Sequence, residues 1–388
     1  MEILRTFWQQ ALGWAGPAGL AAAFVAAAAL GVQLYYLLGA YRRIAGYRNK
    51  PVPPGTPLPA VSAVVALHDP DYRWLEHTLP LLLGQEHPQF ELVVVDVAGS
   101  EDFTERLAAL AAADGRLTVT RMKKDPRFPI NDKLAHNVGI KAARYECVVL
   151  TLPDSRPASP RWLTAMAKGF MSAGLVLGFA APERGRKGRG RLAAADNAAV
   201  GTRWLGAAVK GKPYRGTVRN LGFTRGLYFA RGGFNRLNLN VGEGDLFVQA
   251  AAADSPAAVV AGPRSTVLYR VPGGASAWTA VRLRDSYAVK FYPRRAKLFI
   301  GAELWSRALF FAAAAAAAVL LPPAGALAAA GAVALRFLTA LAVARRTCVR
   351  LGQRGLVLTF PLTDLLDPAW EAYLAVRRRF KTPPGVWK

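Results

Sequence analysis

Two carboxylates stand one residue apart in the run Val241-Gly242-Glu243-Gly244-Asp245-Leu246-Phe247-Val248. A glycine turn opens the run and helix-compatible residues close it, so Glu243 and Asp245 sit on the lip of a rigid element with no cation beside them in sequence. A carboxylate held in that way is what a general base needs to take the proton of an attacking hydroxyl. The bland assignment for Asp245 is an N-cap for a helix beginning at Leu246, since a short acidic side chain accepts from the unsatisfied N–H groups of a first turn. Both assignments fit the residue type and its position.

Three further acids, Asp69, Asp96 and Asp154, fall at or just after the ends of apolar runs. Those runs, at about 59–66, 90–97, 117–122 and 147–152, are short and rich in Val and Leu. Helical stretches lie between them, one reaching 83 and others at 102–113 and 132–143. Such alternation predicts a parallel sheet covered on both faces. Ligands of these sheets bind beyond the carboxyl ends of the strands. Each acid alone is an ordinary turn residue; three at one edge point to a site. After Trp162 the alternation loosens, and 183–191 is a basic, Gly-rich loop that suits either phosphate contact or plain solvation.

These elements lie between apolar blocks. The segment 17–40 carries no charge, and Gln33 is its one strongly polar side chain. About 20 apolar residues cross a bilayer core, so a membrane anchor is expected within 1–50. The run is too long for the core of a signal peptide, and Leu34-Tyr35-Tyr36-Leu37-Leu38 is no small-residue cleavage site. A second block, broken by Pro322-Pro323, predicts two more membrane helices within 301–345, at roughly 304–321 and 324–344. Arg307 is expected to snorkel to an interface, with Arg336 further in; the alternative is a buried helical hairpin of a soluble domain. Arg42, Arg43, Arg48 and Lys50 follow the first block, only Arg5 precedes it, and Arg345, Arg346 and Arg350 follow the last. The positive-inside rule then puts Met1 outside, with 51–300 and the basic tail 346–388 in the cytoplasm. Cys147 and Cys348 show no pairing pattern, as expected of a reducing compartment.

The chain has 388 residues and a formal net charge of +25. Nucleic acid is the reflex partner for such a charge. Here, however, the basic residues are scattered or gathered beside apolar segments, as in Arg377-Arg378-Arg379. Anionic membrane lipid explains that distribution better, and no nucleic-acid partner is expected.

Several runs resemble family 2 glycosyltransferases, most closely the membrane-anchored bacterial members of the Bacteroidetes-type branch. Pro80-Leu81-Leu82-Leu83-Gly84-Gln85-Glu86-His87-Pro88 is similar to that family's lead-in to the second strand. Lys133-Leu134-Ala135, followed by Gly139-Ile140-Lys141-Ala142-Ala143, resembles a later family segment, and Trp162 follows Pro157-x-Ser159 as it does after the family's metal motif. Gly211-Lys212-Pro213-Tyr214-x-Gly216 and Arg219-Asn220 then precede Gly242-x-x-Asp245-Leu246-Phe247 in family order. The resemblance implies an α/β GT-A-like fold with a Rossmann-type mixed sheet, flanked by membrane helices. It also implies inverting transfer from a nucleotide-sugar donor, a UDP-sugar by family habit, to a lipid or glycan hydroxyl. Asp245 becomes the catalytic base with Glu243 beside it, and Asp154 the ligand of Mg²⁺ or Mn²⁺. Asp69, Asp96, Lys133, Asp154, Arg156, Arg219, Asn220, Arg282 and Arg284 are expected around the donor.

The departures from the family pattern bear on the chemistry. Leu152-Pro153-Asp154 stands where the family has two acids, so the metal is expected to be weak or dispensable, with Lys133, Arg156 and Arg184 neutralising the diphosphate. Gly244 replaces an acid in the base motif, and in Asp96-Val97-Ala98-Gly99-Ser100 either one acid of the usual pair is lost or the loop is one residue longer. Val281-Arg282-Leu283-Arg284 stands where processive synthases carry Gln-x-x-Arg-Trp, which argues against a polymerising enzyme. A catalytically degenerate homologue that binds nucleotide, lipid or partner is the alternative.

Overall fold

The computed structural model describes residues 16–97, 99–123, 130–183, 188–234, 241–271 and 275–380. Arg184 and most of its basic loop, like Met1 and Arg5, lie outside the described residues. The Val- and Leu-rich runs form strands β1 (Val61–Leu67), β2 (Phe90–Asp96), β3 (Leu117–Arg121) and β4 (Cys147–Leu150). β1 pairs in parallel with β2 and β4, and β2 with β3, as the strand–helix alternation predicts. Successive side chains alternate between two cores, following the period of a strand. Val64, Val93 and Val148 pack with Trp204, Leu205, Phe223 and Phe247. Their neighbours Ala63, Val65, Leu92, Val94 and Val149 pack with Trp162, Leu163 and Met166. Full burial of each Val or Leu contributes about 1.5–3 kcal/mol, which fixes the strand register.

Beyond β4 the direction reverses. With β5 (Ser155–Pro157), β6 (Leu175–Gly178), β7 (Ala180–Pro182), β8 (Leu221–Thr224), β9 (Ala257–Val260) and β10 (Val267–Tyr269), the main sheet runs β3-β2-β1-β4-β8-β6-β9. β8 is antiparallel to β4 and β6, while β6 and β9 are parallel. A small sheet, β5-β10-β7, stands beside it. The antiparallel β8 matters for function. Leu150 pairs with Leu221, so the residues just before β8 arrive at the edge where β4 ends.

Three helices, Pro17–Ala45, Arg294–Leu320 and Gly325–Arg350, are long and apolar enough to cross a membrane. Pro322 and Pro323 make the turn between the last two, with Pro323 at the start of its helix, where a missing N–H costs nothing. Arg307 and Arg336 do not snorkel. Arg336 is 1% exposed and donates to Asp364 Oδ1 (3.2 Å) and to Gln33 Oε1 (3.0 Å). Arg307 donates to Glu303 Oε1 (3.1 Å) and to Asp367 Oδ2 (2.8 Å). Both receive carboxylates from the tail helix, Phe360–Phe380, because an uncompensated buried charge costs several kcal/mol. That helix has an inverted amphipathic pattern: Asp364 and Asp367 point inward, while Leu362, Leu365, Leu366, Val376 and Phe380 are exposed. Cys147 and Cys348 are both buried, and neither forms a disulfide among the described residues.

Candidate active site

The helix Glu243–Ala251 starts after Gly242, whose φ of 70° lies in the left-handed region that favours glycine. Asp245 is therefore already inside the first turn, and its side chain makes no capping bond to its own helix. Instead Oδ1 accepts from the backbone N–H of Gly216 at 3.2 Å, and Oδ2 accepts from the Tyr292 hydroxyl. Arg215 Nε lies 3.9 Å from Oδ1. Burial pushes the Asp245 carboxyl up to about 6, against the pull of Arg215 and the Tyr292 hydrogen bond. A carboxylate tuned toward neutrality is suited to accept a proton near physiological pH.

Arg215 turns its other end to Asp285 in a second ion pair. Arg215, Asp245 and Asp285 line a cavity of about 120 Å³ together with Glu243, Arg219, Arg284, Thr217, Tyr269 and Leu152. On its wall, Arg219 donates to Asp154 twice, Nη2–Oδ2 at 2.6 Å and Nε–Oδ1 at 3.2 Å, and its guanidinium lies 4.4 Å from the Tyr269 ring centre. Ser155 Oγ donates to Asp154 Oδ1 at 2.7 Å. The sheet explains this meeting. Arg219 precedes β8, Asp154 follows β4, and those two ends are adjacent.

The donor set here does not fit a divalent ion held by protein carboxylates. Asp154 is engaged on both oxygens by a guanidinium, Leu152 contributes an apolar wall, and the described residues hold no group of three His, Cys, Asp or Glu side chains that would take a metal.

The other residues singled out from sequence are placed less centrally. Asp69 is exposed just past β1. Asp96 is buried at the end of β2, level with Leu67, and accepts from Thr104 Oγ1. Lys133 is buried on the helix Asp132–Ala142. Arg156 pairs with Glu183 at 2.6 Å and does not line the cavity. Asn220 is spent on packing: Oδ1 accepts from Trp162 Nε1 at 2.9 Å, and Nδ2 donates to the carbonyls of Phe179 and Ser265. Arg282 lies outside the cavity as well. Its guanidinium reaches Asp196 (2.8 Å) and Glu371 of the tail helix.

Arg284 also approaches Asp132 at 3.5 Å, and His68 Nε2 lies 2.9 Å from the same carboxylate. The hydrogen bond from His68 holds the Asp132 carboxyl down to about 2. Nearby, His136 is fully buried, its pKa is lowered by that burial, and neither ring nitrogen has a hydrogen-bond partner.

Sequence reasoning missed Arg215, Asp285, Tyr292 and His136. Arg215 was the unassigned position between Tyr214 and Gly216, and Asp285 directly follows Arg284. Tyr292 offers no local signal, because its role depends on a contact spanning 47 residues.

An α/β protein with a parallel-rich mixed sheet and a cavity lined by Glu243, Asp245, Asp285, Arg215 and Arg219 is the class that fold and site define. No protein-family model matches the chain. No curated protein matches it either. Among solved structures, the mannosyltransferase PcManGT from Pyrobaculum calidifontis, determined with GDP-Man and Mn²⁺, is similar at a TM-score of 0.50 and 21% identity, covering 90% of this chain and 99% of that one. TarS of S. aureus has a TM-score of 0.40 at 14% identity, covering 77% of this chain and 55% of its own. GalNAc-T7, determined with UDP, GalNAc and Mn²⁺, has a TM-score of 0.39 at 15% identity, covering 55% and 44%. The likeness to PcManGT is one of fold, and it extends over nearly the whole of both chains.

Proposed function

We propose that this chain is a membrane-bound inverting glycosyltransferase of the family 2 type, moving a sugar from a nucleotide-sugar donor to a lipid or glycan hydroxyl. The single observation that carries the reading is the cavity in which Asp245, held by Gly216 and Tyr292, faces the Arg219–Asp154 pair. Its chemistry has two halves. The acceptor hydroxyl attacks the anomeric carbon from the face opposite the leaving diphosphate, and Asp245 takes its proton. Arg219 and Arg284 stabilise the charge that develops on the diphosphate, with Arg219 exchanging Asp154 for phosphate oxygens. Glu243, buried in the first turn beside Asp245, contacts the acceptor. In this reading residues 1–50 anchor a cytoplasmic transferase domain at 51–300, two further spans lie within 301–345, and 346–388 forms an interfacial tail.

A catalytically degenerate homologue that binds nucleotide, lipid or a partner is the second reading. It draws on the same Arg219–Asp154 pair, in which a guanidinium occupies both oxygens of the one acid expected to hold a metal. Incubating the purified protein with a panel of UDP- and GDP-sugars, with and without Mn²⁺, separates the two. Release of nucleoside diphosphate from one donor supports the transferase. Nucleotide binding with no turnover of any donor establishes the degenerate form.

A further inference from the structure

A larger cavity, about 880 Å³, adjoins the candidate active site. Arg215 and Asp285 line both spaces, and Tyr292, the hydrogen-bond donor to Asp245, lines the larger one. Its size is that of a site for a whole ligand rather than a packing defect. Its far walls are the second apolar helix, through Leu304, Trp305 and Ala308, and the tail helix, through Ala372 and Ala375. Trp305 is 69% exposed, and the tail helix faces the cavity with the apolar Pro368, Ala369, Ala372 and Ala375, so the cavity opens along apolar side chains.

The polar end carries a single sign of free charge. Lys290, Lys297 and Arg378 all line the cavity. Lys297 Nζ donates to the Lys290 carbonyl at 2.7 Å, Arg378 Nη1 donates to the Ser286 carbonyl at 3.2 Å, and Lys290 Nζ stands over the Tyr287 ring. None of the three pairs with a carboxylate among the described residues. An apolar trough that ends on unneutralised cations fits an amphiphile with a hydrocarbon chain and an anionic head, since cations favour phosphate oxygens and the chain gains by leaving water.

We infer that this cavity binds a long-chain lipid phosphate or diphosphate. The phosphate lies on Lys290, Lys297 and Arg378, and the chain leaves between Trp305 and the tail helix. Its role as acceptor rests on the transferase reading; its occupancy does not. In that role the lipid-linked group presents its hydroxyl past Arg215 to Asp245. The hydroxyl oxygen then forms the new bond to the anomeric carbon. The carbon–oxygen bond to the donor phosphate breaks and its electron pair leaves with the nucleoside diphosphate, while the hydroxyl proton passes to Asp245.

The test uses the full-length protein in neutral detergent, with farnesyl phosphate as probe and farnesol and inorganic phosphate as comparisons. Farnesyl phosphate is expected to bind at least tenfold more tightly than either comparison and to weaken with salt. A Lys290→Ala/Lys297→Ala/Arg378→Ala variant, changed at the polar end alone, is expected to lose about tenfold or more. Ala308→Trp, which fills the trough, is expected to block the lipid while nucleotide-sugar binding persists. Equal binding of farnesol, or lipid binding unchanged in both variants, overturns the inference. So does complete competition by phosphatidylglycerol vesicles, which reports adsorption to an anionic surface. Lipid binding without sugar transfer sinks the transferase reading and leaves the site standing. Transfer with no lipid-phosphate binding does the reverse.

Discussion

A Cβ placed on Gly244 would stand 2.5 Å from the carbonyl oxygen of Gly216. The two backbones touch there, and one residue further along the helix the same approach lets Asp245 accept the Gly216 N–H. Gly244, which in sequence looks like an acid lost from the base motif, is in the fold a condition for docking that helix. Substituting it with Ala is expected to destabilise the protein by about 1–3 kcal/mol through overpacking, measured by thermal or denaturant unfolding. Asp at this position is expected to be worse still, with no gain in turnover.

Asp245→Asn keeps the hydrogen-bonding shape and removes the base. Turnover is expected to fall by about 10²–10⁴ with donor binding preserved, measured by single-turnover kinetics and nucleotide-sugar titration. In the unsubstituted protein, turnover should decline as pH drops below about 6, where the buried carboxyl becomes protonated. Stability follows the opposite sign. A carboxyl raised to about 6 when folded favours the fold in its neutral form, so its contribution is fully present below the unfolded value near 4 and is lost as pH rises through 6. The Asn variant should therefore gain melting temperature relative to the parent between pH 4 and 7.

Arg219→Met is expected to weaken nucleotide-sugar binding by tenfold or more, whereas Asp154→Asn frees the guanidinium and should preserve it. Binding by the parent should survive chelator and fall steeply with salt. Leu152→Asp, which supplies a second carboxylate beside Asp154, should introduce a dependence on Mn²⁺. Isothermal titration at several salt and metal concentrations measures all four.

The four parallel strands were legible because Val and Leu on both faces leave a continuous signature, whereas of the three strand-end acids only Asp154 meets the cavity wall, through Arg219. The membrane-length helices were legible for a similar reason, since apolar length is a local property. What was not legible depends on partners distant in sequence. Arg282 was expected at the donor because residues 281–284 stand where processive synthases carry Gln-x-x-Arg-Trp, and Asp196 and Glu371 hold it across 86 and 89 residues. Arg219 was expected at the donor, but nothing local indicates that it would hold Asp154, because that pairing depends on β8 running against β4. Arg307 and Arg336 looked like intruders in apolar helices for the same reason: their carboxylates come from the tail.

Asp364→Ala leaves Arg336 buried with no carboxylate among the described residues, only the Gln33 amide and the Phe311 ring face beside it. The expected loss is about 3–5 kcal/mol, measured in detergent or bilayer unfolding assays. Replacing both members of the pair with leucine should recover much of that loss, because a neutral pair needs no compensation.

Reporter fusions after Lys388 and within residues 51–58 should both be active only on the cytoplasmic side, with a reporter ahead of residue 17 active on the opposite side. Activity of the Lys388 fusion on the periplasmic side would overturn the proposed topology.

The tail carboxylates that reach the two helix arginines are made later than the arginines themselves, Asp364 28 residues after Arg336 and Asp367 60 residues after Arg307. A growing chain therefore delivers its second and third apolar helices with Arg307 paired only to Glu303 of its own helix and with no carboxylate yet beside Arg336. Lipid makes a poor resting place for such groups, so those helices stay unsettled until the last helix has been synthesised and folded against them. A chain that stops before the tail helix leaves Arg336 without a carboxylate and Arg307 with one instead of two, so neutral apolar helices exist only once the tail has folded back.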